Sequence, residues 1–170
     1  LREIDAAISS SLDLSITLNI LTEHLITKMD AGAADVLVFN PESQLLDYLA
    51  VSGFQNRDAT QSSITIADSI VEHILLSRNS LYIKDLTSEN NTRIKNIVSK
   101  ENFVSYYATP LFSKGAVRGI LETYFRSPFT PSNDWLDFIQ TLAGQATIAI
   151  DNSQLFQSLQ RTNQELSLAY

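Results

Sequence analysis

The chain has 170 residues, of which 44% are hydrophobic and 18% are charged, and its formal net charge at pH 7 is −7. This length is enough for one hydrophobic core and too short for two ordinary domains, so the composition indicates a single domain with helical extensions. The negative charge, with only 12 Lys and Arg scattered along the chain, argues against binding to a nucleic-acid backbone or to an anionic membrane.

Other classes of protein are disfavoured by what the sequence lacks. No apolar stretch approaches the roughly 20 residues needed to cross a bilayer, and no charged-then-apolar leader opens the chain, so we expect a cytoplasmic location without membrane insertion. The absence of Cys removes disulfides, thiolate nucleophiles and thiolate metal ligands. Two His are too few for a closed metal site or a defensible Ser-His-acid arrangement, so we predict neither a metal centre nor catalysis.

The first 30 residues indicate two helices. One runs from Leu1 to about Ser11 and the other begins near Ser15, where Asp13 or Ser15 is a candidate N-cap. Each has apolar residues at helical spacing: Ile4, Ile8 and Leu12 in the first, and Leu18, Leu21, Leu25 and Met29 in the second.

Residues 31–131 are predicted to form a sheet and the elements that cover it. Strands over Asp35–Phe39 and Leu45–Val51 form an antiparallel hairpin, because a turn at Asn40-Pro-Glu-Ser43 separates them. A helix over Ser69–Arg78 and a short strand over Leu81–Asp85 follow. One or two helical turns are then indicated by Ile94, Ile97 and Val98, and the last two strands are Tyr106–Phe112 and Val117–Phe125.

Residues 132–170 read as one long helix. Thr130 is a plausible N-cap, with Pro131 at the first helical position and Asp134 in the first turn. The helix would be roughly 57 Å long, more than one small domain needs. A weak coiled-coil seam through Phe156, Leu159, Asn163 and Leu166 favours a homodimer that leads into a missing output domain. The alternative is a solvated tail.

Glu122 is the most informative residue. It lies in the middle of Gly119-Ile-Leu-Glu-Thr-Tyr-Phe-Arg126, which otherwise reads as an inner strand. A buried, unpaired carboxylate costs several kcal/mol, so a partner or a ligand must meet it. Strand alternation places Ile120, Glu122 and Tyr124 on one face, and Leu121, Thr123 and Phe125 on the other.

The whole chain resembles GAF domains, small-ligand sensor modules of signalling proteins. The motifs that carry the resemblance are Ser105-Tyr-Tyr-Ala-Thr-Pro-Leu-Phe112, the turn at Lys114-Gly115, the Glu122 strand, Ser127-Pro-Phe-Thr-Pro131 and Leu142-Ala-Gly-Gln-Ala-Thr-Ile-Ala-Ile150. The resemblance implies an α+β, PAS-related fold. In it, a central antiparallel sheet of five to six strands has the terminal helices on one face and the pocket helices and loops on the other.

The C-terminal segment points to a signalling output. Leu159-Gln-Arg-Thr-Asn-Gln-Glu-Leu166 is similar to the junction that leads into HD-GYP cyclic di-GMP phosphodiesterases and, less closely, histidine kinases of two-component systems. The resemblance therefore implies a non-catalytic sensor of a bacterial signalling protein. It would couple an unidentified small molecule to an output domain through dimerising helices.

The residues that family members use for other ligands match poorly here. Cyclic-nucleotide-binding members start the pocket helix with Gly-Ile-Ala-Gly, whose free amides face the phosphate, whereas this chain has Ser69-Ile-Val-Glu72. Of the associated Asn-Lys, Phe, Asp-Glu signature only Phe129 is identical, although Arg126 and Asp134 are placed to form an equivalent clasp. Bilin attachment and methionine sulfoxide reduction require Cys, so the resemblance implies no bilin and no reductase activity.

The candidate ligand contacts come from several elements. Glu122 is the expected acceptor for an amine, a hydroxyl or a guanine edge, with Tyr106 or Tyr107 as a platform. The rest of the set is Asp35, Ser52, Ile70, Val71, His73 and Ser105. The alternative is a ligand-free dimerisation spacer, in which tyrosine hydroxyls satisfy Glu122 and apolar side chains plug the pocket. A sensor should leave Glu122 unsatisfied by protein, and a spacer should leave it bonded and packed.

Overall fold

The computed structural model describes the backbone of residues 2–169 and the side chains of residues 13–168. In chain order the elements are α1 (Arg2–Lys28), β1 (Ala33–Asn40), β2 (Leu45–Ser52), α2 (Ser69–Ser77), β3 (Leu81–Ile83), α3 (Thr92–Glu101), β4 (Ser105–Ser113), β5 (Ala116–Phe125) and α4 (Asn133–Ala169). Short 3-10 turns at Asp58–Thr60 and Leu86–Ser88 interrupt the loops.

The five strands form one sheet in the order β2-β1-β5-β4-β3. Every neighbouring pair is antiparallel, which confirms the predicted α+β class. The last strand in sequence, β5, lies in the centre of the sheet between β1 and β4. Residues in the middle of β5 are therefore covered on both edges by backbone pairing and on both faces by helices.

Alternation along the strands divides the core into two layers. On one face the terminal helices contribute apolar residues such as Leu18 and Leu25 from α1 and Ile139 from α4, which pack with Leu121 of β5. On the other face, α2 and α3 cover Ile120 and Tyr124 of the same strand. The predicted assignment of alternate β5 residues to opposite faces is confirmed.

The N-terminal segment differs from the sequence-based prediction. It forms one continuous helix, α1, instead of two helices separated near Asp13. No Gly or Pro interrupts residues 2–28, and Asp13 is exposed while Leu14 is half-buried, so the helical stripe continues through this point. The side chains of Ile4, Ile8 and Leu12 lie outside the described residues.

The start of α4 also differs from the prediction. The cap is Ser132 rather than Thr130, because the backbone N–H of Trp135 donates to Ser132 Oγ at 3.1 Å. Trp135 is buried and its indole N–H donates to the carbonyl of Met29. This anchor ties the first turn of α4 to the end of α1.

Within the residues that the structure describes, no helix is long and apolar enough to cross a membrane.

Candidate functional site

Glu122 lies at the centre of the sheet and is completely shielded from solvent. Its neighbours across the backbone ladders are Asp35 on β1 and Ala108 on β4. Because directly opposite residues share a face, the two carboxyl groups lie side by side beneath α2 and α3. The sequence identified both residues as candidates, and the strand register explains why they come together.

Arg93 of α3 satisfies Glu122. Nη1 and Nη2 of Arg93 donate to Oε1 and Oε2 of Glu122, each at 2.9 Å, in a fork-to-fork arrangement. The hydroxyl of Tyr106 also donates to Glu122, and that of Tyr124 does so at 3.2 Å. Glu122 therefore has four hydrogen bonds from the protein itself.

The backbone of α3 fixes where this guanidinium enters. Asn91 is the N-cap of the helix, since its side-chain oxygen accepts from the N–H of Ile94 at 2.9 Å. Arg93 is consequently in the first turn, and its side chain is 12% exposed, in contrast to 0% for Glu122. The next residue, Ile94, is fully buried. Arg93 thus reaches Glu122 from the rim of this buried layer.

Asp68 holds the other edge of the guanidinium. Arg93 Nε donates to Asp68 Oδ2 at 3.1 Å, while Nη1 also donates to the Tyr48 hydroxyl at 3.2 Å. Asp68 is at the same time the N-cap of α2, because its Oδ1 accepts from the N–H groups of Ile70 and Val71. The position at which free amides would meet an anion is therefore already occupied by a carboxylate of this chain.

The charges of the cluster are unevenly compensated. Burial pushes the pKa of Glu122 upward, but the Arg93 guanidinium outweighs this effect and keeps that pKa below its ordinary value. The pKa of Asp68 is also lowered, since Arg93 and the α2 amides offset its desolvation. Both carboxylates are therefore stabilised in their charged forms.

Asp35 is the exception. Its side chain is fully buried, and as a carboxylate it has no donor of acceptable geometry among the described residues, whereas in its protonated form it hydrogen-bonds Glu122. Burial, followed by the negative charge of Glu122, raises the pKa of Asp35 well above its ordinary value. One guanidinium thus bonds two of the three carboxyl groups, and the third, Asp35, is shifted toward its protonated form beside Glu122.

Three predicted contacts face away from the cluster, because alternation along β2 and β4 turns them toward the terminal helices. Tyr107 packs edge-on against Trp135, with ring centroids 5.0 Å apart. Ser52 Oγ is 2.8 Å from Thr22 Oγ1 of α1. Ser105 Oγ donates to the carbonyl of Lys84 and accepts from the N–H of Phe129. Tyr107, Ser52 and Ser105 therefore do not join the cluster around Glu122.

The predicted contacts on α2 divide into two groups. Ile70 and Val71 are buried in the layer beneath α2 and supply the amides that Asp68 caps. His73 is exposed on the outer side of the same helix, because it falls between the inward-facing Val71 and Ile74. His73 is consequently not part of the cluster. The anticipated clasp between Arg126 and Asp134 is also replaced, since Arg126 Nη2 pairs with Glu101 at 2.8 Å.

Sequence reasoning missed Arg93, Asp68 and Tyr48. Two signals pointed to the first two: Asp68 immediately precedes an apolar helix, as an N-cap does, and Arg93 follows the capping sequence Asn91-Thr92. A buried carboxylate on an inner strand is most readily compensated by a cation, and the chain has only 12 Lys and Arg to supply it. Among the described residues, no group of three or more His, Cys, Asp or Glu is arranged to hold a metal ion.

Solved structures with the same fold come from several bacterial and archaeal proteins. One is a GAF domain/HD domain protein from Geobacter sulfurreducens, with 15% identity over 86% of this chain and 97% of that chain and a TM-score of 0.72. Another is the GAF domain of a two-component sensor histidine kinase from Bacillus halodurans, with 20% identity over 82% and 95% and a TM-score of 0.70.

A third structure is an enzyme, the type II free methionine-R-sulfoxide reductase from Thermoplasma acidophilum, with 14% identity over 84% and 95% and a TM-score of 0.70. At these identities the similarity shows the fold alone. No curated protein sequence matches the chain significantly. A family model described as GAF domain matches residues 11–151, which is most of the chain. The chain therefore belongs to the GAF domain family.

Proposed function

We propose that this GAF domain is a non-catalytic regulatory module of a bacterial signal-transduction protein, in which a small molecule opens a pocket that Arg93 holds closed. The observation that carries the proposal is the bidentate pair between Arg93 and Glu122, made at the rim of an otherwise apolar layer. In this view the pair is a latch that a ligand replaces.

The chemistry of the pair favours a latch over a permanent plug. Replacing a buried ion pair by apolar side chains of similar volume is often neutral or stabilising. A pocket that is permanently filled would therefore gain no stability from an ion pair over apolar side chains. Arg93 is in the first turn of α3 and retains some exposure, so its side chain is able to swing outward while the sheet stays in place. Arg93 makes no hydrogen bond to Asp35, so opening the latch breaks no contact there.

The same strand connects the latch to the terminal helices. Glu122 faces the pocket layer, and its neighbour Leu121 packs in the layer formed by α1 and α4. A shift of β5 on ligand binding would therefore change its packing against both terminal helices. Signalling further requires that the ligand have different affinities for two arrangements of those helices.

The second half of α4 is the proposed output element. The helix has 37 residues, and its apolar residues Leu155, Leu159 and Leu166 are each more than half exposed. We propose that a parallel homodimer covers them, with Phe156 and Asn163 in the same seam. The helix would then lead to an output domain in the cytoplasm, an HD-type phosphodiesterase or a histidine kinase. The GAF domains of the Geobacter and Bacillus proteins support this choice.

The test compares the dimer dissociation constants of three chains by sedimentation velocity. If the latch controls the helices, Arg93→Ala should change the constant. Lys95→Ala, which removes an exposed cation from the same helix, should not. A monomeric parent chain would refute the output mechanism, and an unchanged constant in Arg93→Ala would refute the coupling.

The second candidate is a dimerisation spacer with no ligand. It is favoured by the complete hydrogen bonding of Glu122, which is the outcome expected from the sequence for a spacer and not for a sensor with an open pocket. For a spacer, the dimer constant depends on α4 alone. It would then respond to substitutions at Leu159 or Leu166 and remain indifferent to the state of Arg93.

A further inference from the structure

We propose that the ligand of this pocket is a compact organic dication of the guanidino-amine or diamine class, which takes the place of Arg93 on Glu122 and extends to Asp35. The proposal rests on the regulatory function above, because it requires the latch to open. The proposal specifies the chemical class of ligand that opens the latch.

The sign of the ligand's charge follows from the charges that line the site. Glu122 and Asp35 are fully buried on adjacent strands, and Asp68 lies at the rim, so an anionic ligand would meet three carboxyl groups. The amides of Ile70 and Val71, which would bind a phosphate, already bond Asp68. The site thus repels anions, and the amides of Ile70 and Val71 are already bonded, whereas a cation finds acceptors.

The shape of the ligand follows from the side chain that now occupies the site. Arg93 meets Glu122 in a planar fork with both distances at 2.9 Å, and Tyr48 accepts a further hydrogen bond from the same guanidinium. Tyr106 and Tyr124 complete the wall around the Glu122 carboxylate. A free guanidinium or a primary ammonium group presents the same kind of donors to these acceptors.

The second charge follows from Asp35. Arg93 is attached to the protein, so it competes with a free cation at a high effective concentration. A monocation that only copies Arg93 would lose this competition. A ligand with a second cationic group pairs with Asp35 as well, which Arg93 does not bond and which gives up its proton to Glu122 or to solvent as the ligand enters. Because Asp35 and Glu122 are directly opposite on β1 and β5, a short linker is enough to span them.

The first measurement is calorimetric titration of the intact chain with agmatine, which carries a guanidinium and an ammonium group on a four-carbon linker. Its matched analogue is N-carbamoylputrescine, in which a neutral urea group replaces the guanidinium. We expect agmatine to bind at least about tenfold more tightly than the urea analogue, since only the former supplies a charge-assisted fork. Equal affinities, or no binding of agmatine, would overturn the proposal.

Three variants then locate the site. Asp35→Asn removes the carboxyl group that becomes negatively charged on pairing with the ligand, with almost no change of shape, so agmatine affinity should fall about tenfold while the chain remains folded. Arg93→Ala removes the internal competitor, so affinity should rise about tenfold. Lys95→Ala should leave affinity within about twofold. Unchanged affinity in Asp35→Asn would contradict the role of Asp35.

Two further outcomes are decisive. Agmatine that binds Arg93→Ala but not the parent chain would overturn the proposal, because Arg93 would then be a permanent occupant. The dimer constant, measured on the same samples, separates this result from failure of the proposed function. A dimer that responds to Arg93→Ala while agmatine does not bind would refute the cationic ligand and keep the regulatory mechanism.

Discussion

Removing Arg93 should destabilise the domain strongly, because it leaves a fully buried carboxylate without its counter-ion. The guanidinium makes four hydrogen bonds, two to Glu122, one to Asp68 and one to the Tyr48 hydroxyl. Breaking a buried pair by deleting one partner typically costs 3–5 kcal/mol. Protonation of Glu122 limits the loss, and the tyrosine hydroxyls remain as donors, so we expect about 3 kcal/mol for Arg93→Ala.

The assay is urea denaturation at fixed protein concentration, followed by far-ultraviolet circular dichroism. Fixing the concentration matters because any dimerisation would stabilise the folded state by mass action. Lys95→Ala is the matched control and should change the free energy of unfolding by less than about 0.5 kcal/mol. For a domain of this size, a loss of 3 kcal/mol also lowers the thermal midpoint by several degrees.

A double-mutant cycle measures the interaction energy between Arg93 and Glu122. Glu122→Gln alone should also destabilise the domain, since it leaves the Arg93 charge buried against a neutral amide. Combined with Arg93→Met, which keeps the length of the stem, it removes both charges, and the double variant should recover part of the lost stability. A loss below about 1 kcal/mol in Arg93→Ala, or strictly additive effects in the cycle, would refute the claim that this ion pair closes the pocket.

Three further predictions concern the neighbouring groups and the helix. The raised pKa of Asp35 means that the folded state binds its proton more tightly than the unfolded chain, so this contribution to stability is present at low pH and is lost as pH rises. Between the pKa of Asp35 in the unfolded chain and its higher pKa in the folded domain, the parent chain should therefore lose up to about 1.4 kcal/mol per pH unit relative to Asp35→Asn. If the unfolding free energies of the two chains, measured in urea, change with pH in parallel, this prediction is wrong. Asp68→Ala removes the α2 cap and a partner of Arg93, and should cost about 1–3 kcal/mol by the same assay; a neutral effect would argue against the capping role. Phe156→Ala combined with Asn163→Ala should weaken the dimer in sedimentation velocity, whereas a parent chain that sediments as a monomer would end the dimer hypothesis.

Electrostatics make the pH response two-sided. The pKa values of Glu122 and Asp68 are lowered in the folded state, so the stability that these groups contribute is present above their unfolded pKa values and is lost as pH falls. Asp35 acts in the opposite direction. The domain should consequently be most stable at intermediate pH, and the Asp35→Asn substitution should extend that maximum toward higher pH.

Local patterns in the sequence determined the fold class, the approximate strand and helix positions and the special status of Glu122. Strand periodicity is a local property, so the division of Ile120, Glu122 and Tyr124 from Leu121 and Phe125 could be predicted. The requirement for a partner also followed from sequence alone, since a carboxylate in an apolar strand must be compensated.

The identity of that partner was decided only by the tertiary structure. Arg93 precedes Glu122 by 29 residues and reaches it from the first turn of α3, which the fold packs over this face of the sheet. Asp35 becomes its neighbour through the register of β1 against β5, and the direction of Tyr107 or Ser52 depends on registers that a one-residue shift would reverse. Long-range packing sets these placements, and so the sequence by itself specified a buried charge that needed compensation, while the fold chose a guanidinium for Glu122 and left Asp35 without one.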